Sequence, residues 1–221
     1  MDGNGRWAKK RGLPRIFGHR EGIKNAIGVV EGLGQLNIKN GTLYAFSTEN
    51  WTRPEKEIKA LLKLFRDNFI SKKSRLLENG VKIRLLGDYQ KFPQDMVDAI
   101  DELIEDTKDN TNLELAIALN YGSRQELVRA VKKITEKGLK SDEITIETIS
   151  ENLYTAGMPD PDLLIRTSGE FRISNFLLWQ IAYTEVFISE KFWPQFTADD
   201  LANAVIWYQS RNRRFGSVEK K

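Results

Sequence analysis

The chain has 221 residues, 40% apolar and 29% charged, with a formal net charge of +3. That length buries enough apolar surface for a core without staples, and the absence of cysteine excludes disulfides and thiolate metal sites. A single histidine excludes a His-based metal cluster, and no apolar run reads as a membrane span or secretory signal, so the chain reads as a cytoplasmic globular protein.

The first residues, Asp2-Gly3-Asn4-Gly5-Arg6, read as a loop opening into a helix. Their surroundings are basic: Arg6, Lys9, Lys10, Arg11, Arg15, Arg20 and Lys24 outweigh Asp2 and Glu21, which suits an anionic ligand, a nucleic acid or a membrane surface. A helix is expected over 22–38 and a strand over 42–47. Pro54 suits the first turn of a helix whose apolar stripe is Ile58, Leu61, Leu62, Phe65 and Phe69, and Asn79-Gly80 ends it. A strand at 81–86 follows. In the acidic stretch 95–109, Val97, Ile100 and Ile104 fall on one helical face, leaving the carboxylates as the solvated side. A strand at 113–119 leads to Ser123 and Glu126, spaced as a capping box for a helix to about Lys137. After a polar connection at 138–144 come strands at 163–167 and 184–189, with Ser174 and Thr197 as caps of two more helices. Several strands are apolar on both faces. Their alternation with helices specifies one α/β domain over 1–221, a mainly parallel central sheet flanked by helices.

Three segments carry chemistry. Gly3 and Gly5 free the backbone to turn N–H groups toward an anion at a helix mouth, and Arg6 and Arg15 add charge-assisted contacts; an ordinary tight turn is the competing reading. The match of Gly3 to Ala8 with the dinucleotide pattern G-x-G-x-x-A lacks the preceding strand that pattern needs. Asp2 beside an anion site is repulsive unless a cation such as Mg²⁺ lies between. Ser47-Thr48-Glu49-Asn50-Trp51-Thr52-Arg53-Pro54 leaves a strand at its C-terminal end, where open α/β sheets place ligands, although Ser47, Thr48 and Asn50 equally suit structural caps. Arg166 through Ser174 repeats this arrangement with two arginines and a helix-opening serine. Two arginine-and-hydroxyl loops point to two phosphorylated substrates. His19, in the basic segment, is either a structural hydrogen-bonding residue or a phosphate or proton contact. Phe176, Leu177, Leu178, Trp179 and the aromatics from Phe187 to Phe196 read as core.

These motifs, with Asn120-Tyr121-Gly122, Asp162 through Glu185 and the final Arg211-Asn212-Arg213-Arg214-Phe215-Gly216, resemble the cis-prenyltransferase family in its bacterial, undecaprenyl diphosphate-forming branch. They span essentially the whole chain. The DDxxD signature of trans-prenyltransferases is absent, since Asp199-Asp200 is followed at position 203 by Asn203. The resemblance implies a Mg²⁺-dependent enzyme that adds isopentenyl diphosphate to an allylic diphosphate, usually farnesyl diphosphate, with Z stereochemistry, for a cell-wall lipid carrier. It implies catalytic roles for Asp2 and Asn50 and a metal site of Asp2 with Glu185. The allylic diphosphate would be held by Gly3, Asn4, Gly5, Arg6, Arg15 and His19, with Trp7 packed beside it. Ser47, Thr48, Glu49, Trp51 and Arg53 would line the reacting centre. Arg166, Arg172, Ile173 and Ser174 would hold isopentenyl diphosphate. Phe171 receives no role.

An apolar tunnel is expected between the sheet and the helices at 22–38 and 54–79, lined by residues such as Ala45, Leu62 and Leu85. Family members are homodimers, which directs attention to 166–185 and the C-terminal basic segment, and release of a lipid product implies transient contact with the inner membrane face. Members also carry a strand ahead of the Asp-Gly-Asn-Gly-Arg motif; here Asp2 follows Met1, so the sheet is expected without it. A nucleic-acid-binding module is disfavoured by a net charge of only +3, and a nicotinamide oxidoreductase by the missing strand before Gly3. A non-catalytic interaction protein would lack the aspartate and arginine motifs present here.

Overall fold

The computed structural model describes residues 1–212. In chain order the elements are α1 (Asn4–Lys9), α2 (Arg15–Gln35), β1 (Asn40–Ser47), α3 (Glu55–Glu78), β2 (Val81–Leu86), α4 (Gln94–Thr107), β3 (Leu113–Tyr121), α5 (Ser123–Glu136), α6 (Ile146–Ser150), β4 (Leu163–Thr167), β5 (Glu185–Ser189) and α7 (Ala198–Gln209). Every strand pairing is parallel: β1 and β2 flank β3, and β4 pairs with β5. This is the parallel sheet with flanking helices that the strand–helix alternation specifies.

β3 is the central strand, and its residues are buried on both faces. On one face Ile83, Leu115 and Leu119 pack with Val29, Leu61, Ile100 and Leu103 of α2, α3 and α4. On the other, Ala116, Ala118 and Tyr121 meet Phe176 and Leu177. Each such buried aliphatic or aromatic side chain contributes roughly 1.5–3 kcal/mol, so β3 anchors both layers. Hydrogen bonding between the strands breaks off between β1 and β4. Both edges there line a cavity of about 600 Å³ that reaches α2 and α7.

Local signals set most element ends. Gly80, at φ 63°, closes α3, and Thr197 forms a reciprocal cap with Asp200 at the start of α7. Two expected caps are corrected. Ser174 opens no helix; residues 174–183 form successive turns. The Ser123–Glu126 box is not made either, because both side chains serve distant partners. Ser123 Oγ accepts from Leu178 N, and buried Glu126 accepts from Tyr121 Oη, Tyr154 N and Gln180 Nε2. The tunnel expectation is corrected in part. Ala45, Val29, Leu33, Leu61 and Phe65 line the cavity, whereas Leu62 and Leu85 are packed into the solid core.

Candidate active site

Main-chain bonds clip the N-terminal loop to the C-terminal end of β4. Asp2 N–H donates to Thr167 Oγ1 at 3.0 Å, and the Asp2 carbonyl accepts from Thr167 Oγ1, Ser168 Oγ and Trp193 N, each at 2.9 Å. Gly3 makes the turn with φ 98°, and a Cβ there would stand 2.2 Å from Ser168 Oγ, so conformation and space both demand glycine. Gly18 is needed for a second close approach, since its Cβ would meet the Asn4 carbonyl oxygen at 1.9 Å where α2 crosses α1.

The Asp2 carboxylate gathers arginines from both ends of the chain. Arg166 Nη2 lies 3.1 Å and Arg172 Nη2 3.8 Å from Oδ2, and Arg6 Nη2 lies 3.3 Å from Oδ1. Burial pushes the Asp2 pKa up. The Arg166 hydrogen bond, the Gly3 N–H and the charges of Arg6 and Arg166 outweigh it and hold the carboxyl below its usual range. Arg172 and Arg6 both also bond Glu170, which lowers its pKa. Arg166 donates to the Arg172 carbonyl and, at 3.0 Å, to Ser174 Oγ.

A second cluster surrounds Glu57 in the first turn of α3. Its Oε1 lies 3.3 Å from Arg53 Nη1, 3.4 Å from Arg15 Nη2 and 3.6 Å from His19 Nε2. The last distance is too long for a hydrogen bond, and Nε2 is buried without a partner. Burial, then the charge of Arg53, lowers the His19 pKa to about 4 despite Glu57, so at neutral pH the ring is uncharged and the contact is not an ion pair.

The loop after β1 is a 3₁₀ turn, Thr48–Thr52, capped by Ser47 and Asn50: Ser47 N–H donates to Asn50 Oδ1 at 3.2 Å. The structural cap reading holds for Ser47 and Asn50, and both side chains still line the cavity. Trp51 donates from Nε1 to Asn120 Oδ1 at 2.8 Å, with Phe46 and Phe92 against its ring. Glu49 accepts from Asn175 Nδ2 at 3.0 Å. Burial raises the Glu49 pKa, but this hydrogen bond and others from the loop bring it below the ordinary value.

The cavity between β1 and β4 takes in Asp2, Asn4, His19 and Arg53, with Ser47 and Asn50 on one wall and Arg166, Arg172, Ile173 and Ser174 on another. A second cavity of about 490 Å³ adjoins it through Asp2, Asn4, His19 and Arg53, and brings in Gly3, Gly5, Arg6 and Arg15. Trp7, Thr48, Glu49 and Trp51 lie outside both linings; Arg11 covers the Trp7 ring at 4.2 Å. The expected pairing of Glu185 with Asp2 is corrected within one chain. Glu185 sits opposite Leu163 at the far end of β4 and pairs with Arg211 Nε at 3.2 Å, whereas Asp2 is clipped to Thr167. Arg213, Arg214, Phe215 and Gly216 lie outside the described residues. Among the described residues no three His, Cys, Asp or Glu side chains form a metal cage. A Mg²⁺ ion that takes most of its oxygens from substrate phosphates needs only one or two carboxylates, and Asp2 supplies one.

Sequence reasoning gave no role to Glu57, nor to Asn120, Glu170 and Asn175, although the last three lie within segments it singled out. Glu57 had a local signal, four residues after Arg53 at helical spacing. Glu170 pairs with Arg172 two residues on as well as with Arg6, whereas Asn120 and Asn175 act through partners distant in sequence.

This geometry has relatives. The family model described as "Putative undecaprenyl diphosphate synthase" matches residues 1–216, and the chain belongs to this family of isoprenyl transferases. The isoprenyl transferase of Clostridium perfringens is 51% identical over 99% of this chain and 88% of its own length. That of Shouchella clausii is 52% identical over 99% and 86%. Among solved structures, lavandulyl diphosphate synthase from Lavandula x intermedia, in complex with dimethylallyl diphosphate, superimposes with a TM-score of 0.94 at 34% identity, over 98% of this chain and 95% of that one. A probable undecaprenyl diphosphate synthase from Campylobacter jejuni gives 0.81 at 33% identity, over 89% and 92%.

Proposed function

We propose that the protein transfers isopentenyl units from isopentenyl diphosphate to an allylic diphosphate, with farnesyl diphosphate as primer. The product is a long Z-polyprenyl diphosphate of the undecaprenyl type, a lipid carrier for cell-wall synthesis. The observation that carries this reading is one carboxylate, Asp2, in contact with Arg6 of α1 and with Arg166 and Arg172 at the end of β4 and in the loop after it, beside a cavity lined by charged residues near Asp2 and by apolar ones such as Val29, Leu33, Ala45 and Phe65. The structural likeness to an enzyme solved with dimethylallyl diphosphate supports an allylic diphosphate as a substrate.

In this reading the turn at Gly3–Gly5 holds the allylic diphosphate with Asn4, Arg6, Arg15 and neutral His19, while Arg53 faces it from across the second cavity. Arg166, Arg172 and Ser174, with the backbone at Ile173, hold isopentenyl diphosphate. Mg²⁺, bound through Asp2 and phosphate oxygens, would neutralise charge on the leaving group. As the allylic C–O bond breaks, its electron pair stays with the diphosphate, and the guanidinium groups stabilise that developing charge. The isopentenyl alkene supplies the electrons of the new C–C bond, and a proton then leaves the adjacent carbon. Asn50 is too weak a base to keep this proton; it orients the C–H bond, and the departing diphosphate accepts it. Holding the two substrates side by side contributes the entropic part of the acceleration.

The lengthening chain enters the cavity past Ala45. Each added five-carbon unit gains about 4 kcal/mol from enclosure at ~0.8 kcal/mol per buried CH₂. No helix among the described residues is long and apolar enough to cross a membrane, so membrane contact in this reading is peripheral and transient. The working form is a homodimer. Incubation with farnesyl diphosphate, labelled isopentenyl diphosphate and Mg²⁺ should yield polyprenyl products whose size is read by chromatography. Failure to incorporate label into lipid would refute the assignment, and discrete shorter products would revise the length alone.

A further inference from the structure

Asn175 lies in a run of left-handed backbone that side chains rarely adopt: φ is 53° at Ser174, 59° at Asn175 and 46° at Leu177. Such conformations persist where neighbours over-determine them. Here the neighbours are explicit. Ser123 N–H donates to the Asn175 carbonyl at 2.8 Å, and Tyr44 Oη to the Ser174 carbonyl at 3.3 Å. Arg124 N–H donates to Asn175 Oδ1 at 2.9 Å. The α5 N-cap residue is Gly122, which has no side chain to satisfy the first turn, so Asn175 caps α5 from a distant part of the chain.

The other end of the same amide turns to the loop after β1. Nδ2 donates to Glu49 Oε1 at 3.0 Å and to Gln125 Oε1 at 3.1 Å. The junction is closed: a Cβ on Gly122 would stand 2.6 Å from Asn175 Nδ2 and 2.7 Å from Thr48 Oγ1. Immediately before Asn175, Ser174 takes the Arg166 guanidinium on its hydroxyl at 3.0 Å.

We propose that Asn175 is a positioning residue that locks the two substrate loops to one another. Its amide holds Glu49 of the Ser47–Arg53 loop, and its backbone, pinned by α5, sets Ser174 against Arg166. The substrate roles of the loops rest on the function proposed above; the mechanical link between them does not.

A polarity swap tests the link. Asn175→Asp keeps an acceptor for Arg124 N–H, suits the left-handed backbone and places negative charge at a helix N-terminus, where it is favoured. It also removes the donor to Glu49 and sets two carboxylates together. Adding Glu49→Gln restores a hydrogen bond in the reverse direction, from the Gln amide to the Asp carboxylate. Hydrogen–deuterium exchange in the free protein, over peptides spanning 47–53 and 168–177, reads the coupling without any substrate. With Asn175→Asp both segments should exchange roughly tenfold faster, and KM for both diphosphates should rise by a similar factor. The double variant should match Glu49→Gln alone in both readouts. Additive effects, or faster exchange confined to 168–177, would overturn the proposal. Should Asn175→Asp fail to fold by itself, recovery of folding on adding Glu49→Gln supports the link and continued failure overturns it. If the unmodified protein makes no polyprenyl product, the proposed function falls while the exchange measurement still decides the coupling.

Discussion

The two arginine clusters differ in what stands at their centre. Around Glu57, Arg15, Arg53 and a neutral histidine converge on a carboxylate of the first turn of α3, which is an internal counter-ion carried by a regular helix. Around Asp2, three arginines converge on a carboxylate held by a tight glycine turn and by three bonds to its own carbonyl oxygen. A charge that only balances its neighbours can sit on a helix. One to which the proposed function gives a metal has to be fixed independently of the arginines around it. The Asp2 backbone bonds do that, since none of them uses the carboxylate.

The largest effect should come from removing that carboxylate. Asp2→Ala should lower turnover by at least about a hundredfold, while the melting profile stays close to that of the parent because the backbone clip to Thr167, Ser168 and Trp193 is retained. Full activity in the variant would dissolve the distinction between the clusters. Next in size, Arg172→Ala and Arg53→Ala should separate the substrates. The former should raise KM for isopentenyl diphosphate and the latter KM for the allylic diphosphate, each by roughly ten- to a hundredfold, as expected for a charged hydrogen bond. If both variants weakened the same substrate, the two clusters would be one site.

The neutral histidine sharpens the contrast through pH. Because the folded pKa of His19, about 4, lies below the unfolded value near 6.5, the unfolded chain binds more protons between these values. Stability is therefore fully present above about pH 6.5 and falls as pH drops toward 4. The His19 share is on the order of 3 kcal/mol. Denaturant unfolding from pH 7 to 4 should show that extra slope in the parent and not in His19→Gln. The smallest effect concerns the loop between the clusters. Asn120 sits at φ 47° and holds the Trp51 indole, while its own amide donates to the Asp88 carbonyl at 2.7 Å. Asn120→Gly tolerates that φ but frees Trp51, and should cost about 1 kcal/mol, a several-fold rise in KM for the allylic substrate. Asn120→Asp keeps the acceptor for Trp51 but loses the donor to the Asp88 carbonyl, so it should lower stability while raising KM less than Asn120→Gly does; equal rises in KM would remove Asn120 from any role toward Trp51.

Much of this was legible in advance because it is local or periodic. Apolar stripes located α3 and α4, glycine marked the end of α3, and short apolar runs located all five strands to within a few residues. The loops Ser47–Arg53 and Arg166–Ser174 were recognisable because each leaves the end of a strand with small and basic residues, and the Asp2 loop because Gly3 and Gly5 stand at the mouth of a helix in a basic segment. Caps misled where a side chain had two possible employers. Ser123 and Glu126 have the spacing of a box, yet Leu178 N–H and Tyr121 Oη claim them from outside the helix. Within one chain Glu185 could not be placed for the converse reason, since a motif does not say which end of a strand a residue will occupy.

By itself, then, the order of residues determined the parallel α/β arrangement, the positions of the candidate anion loops and the family to which the chain belongs. These depend on spacing along one segment at a time, and spacing is written in the chain. Only the tertiary structure decided that Asp2 meets Arg166 and Arg172, that His19 is buried and neutral beside Glu57, and that Asn175 caps one helix while holding the loop of another element. Those outcomes rest on long-range burial and hydrogen bonding between segments more than a hundred residues apart in several cases, and no local pattern encodes a partner at that distance.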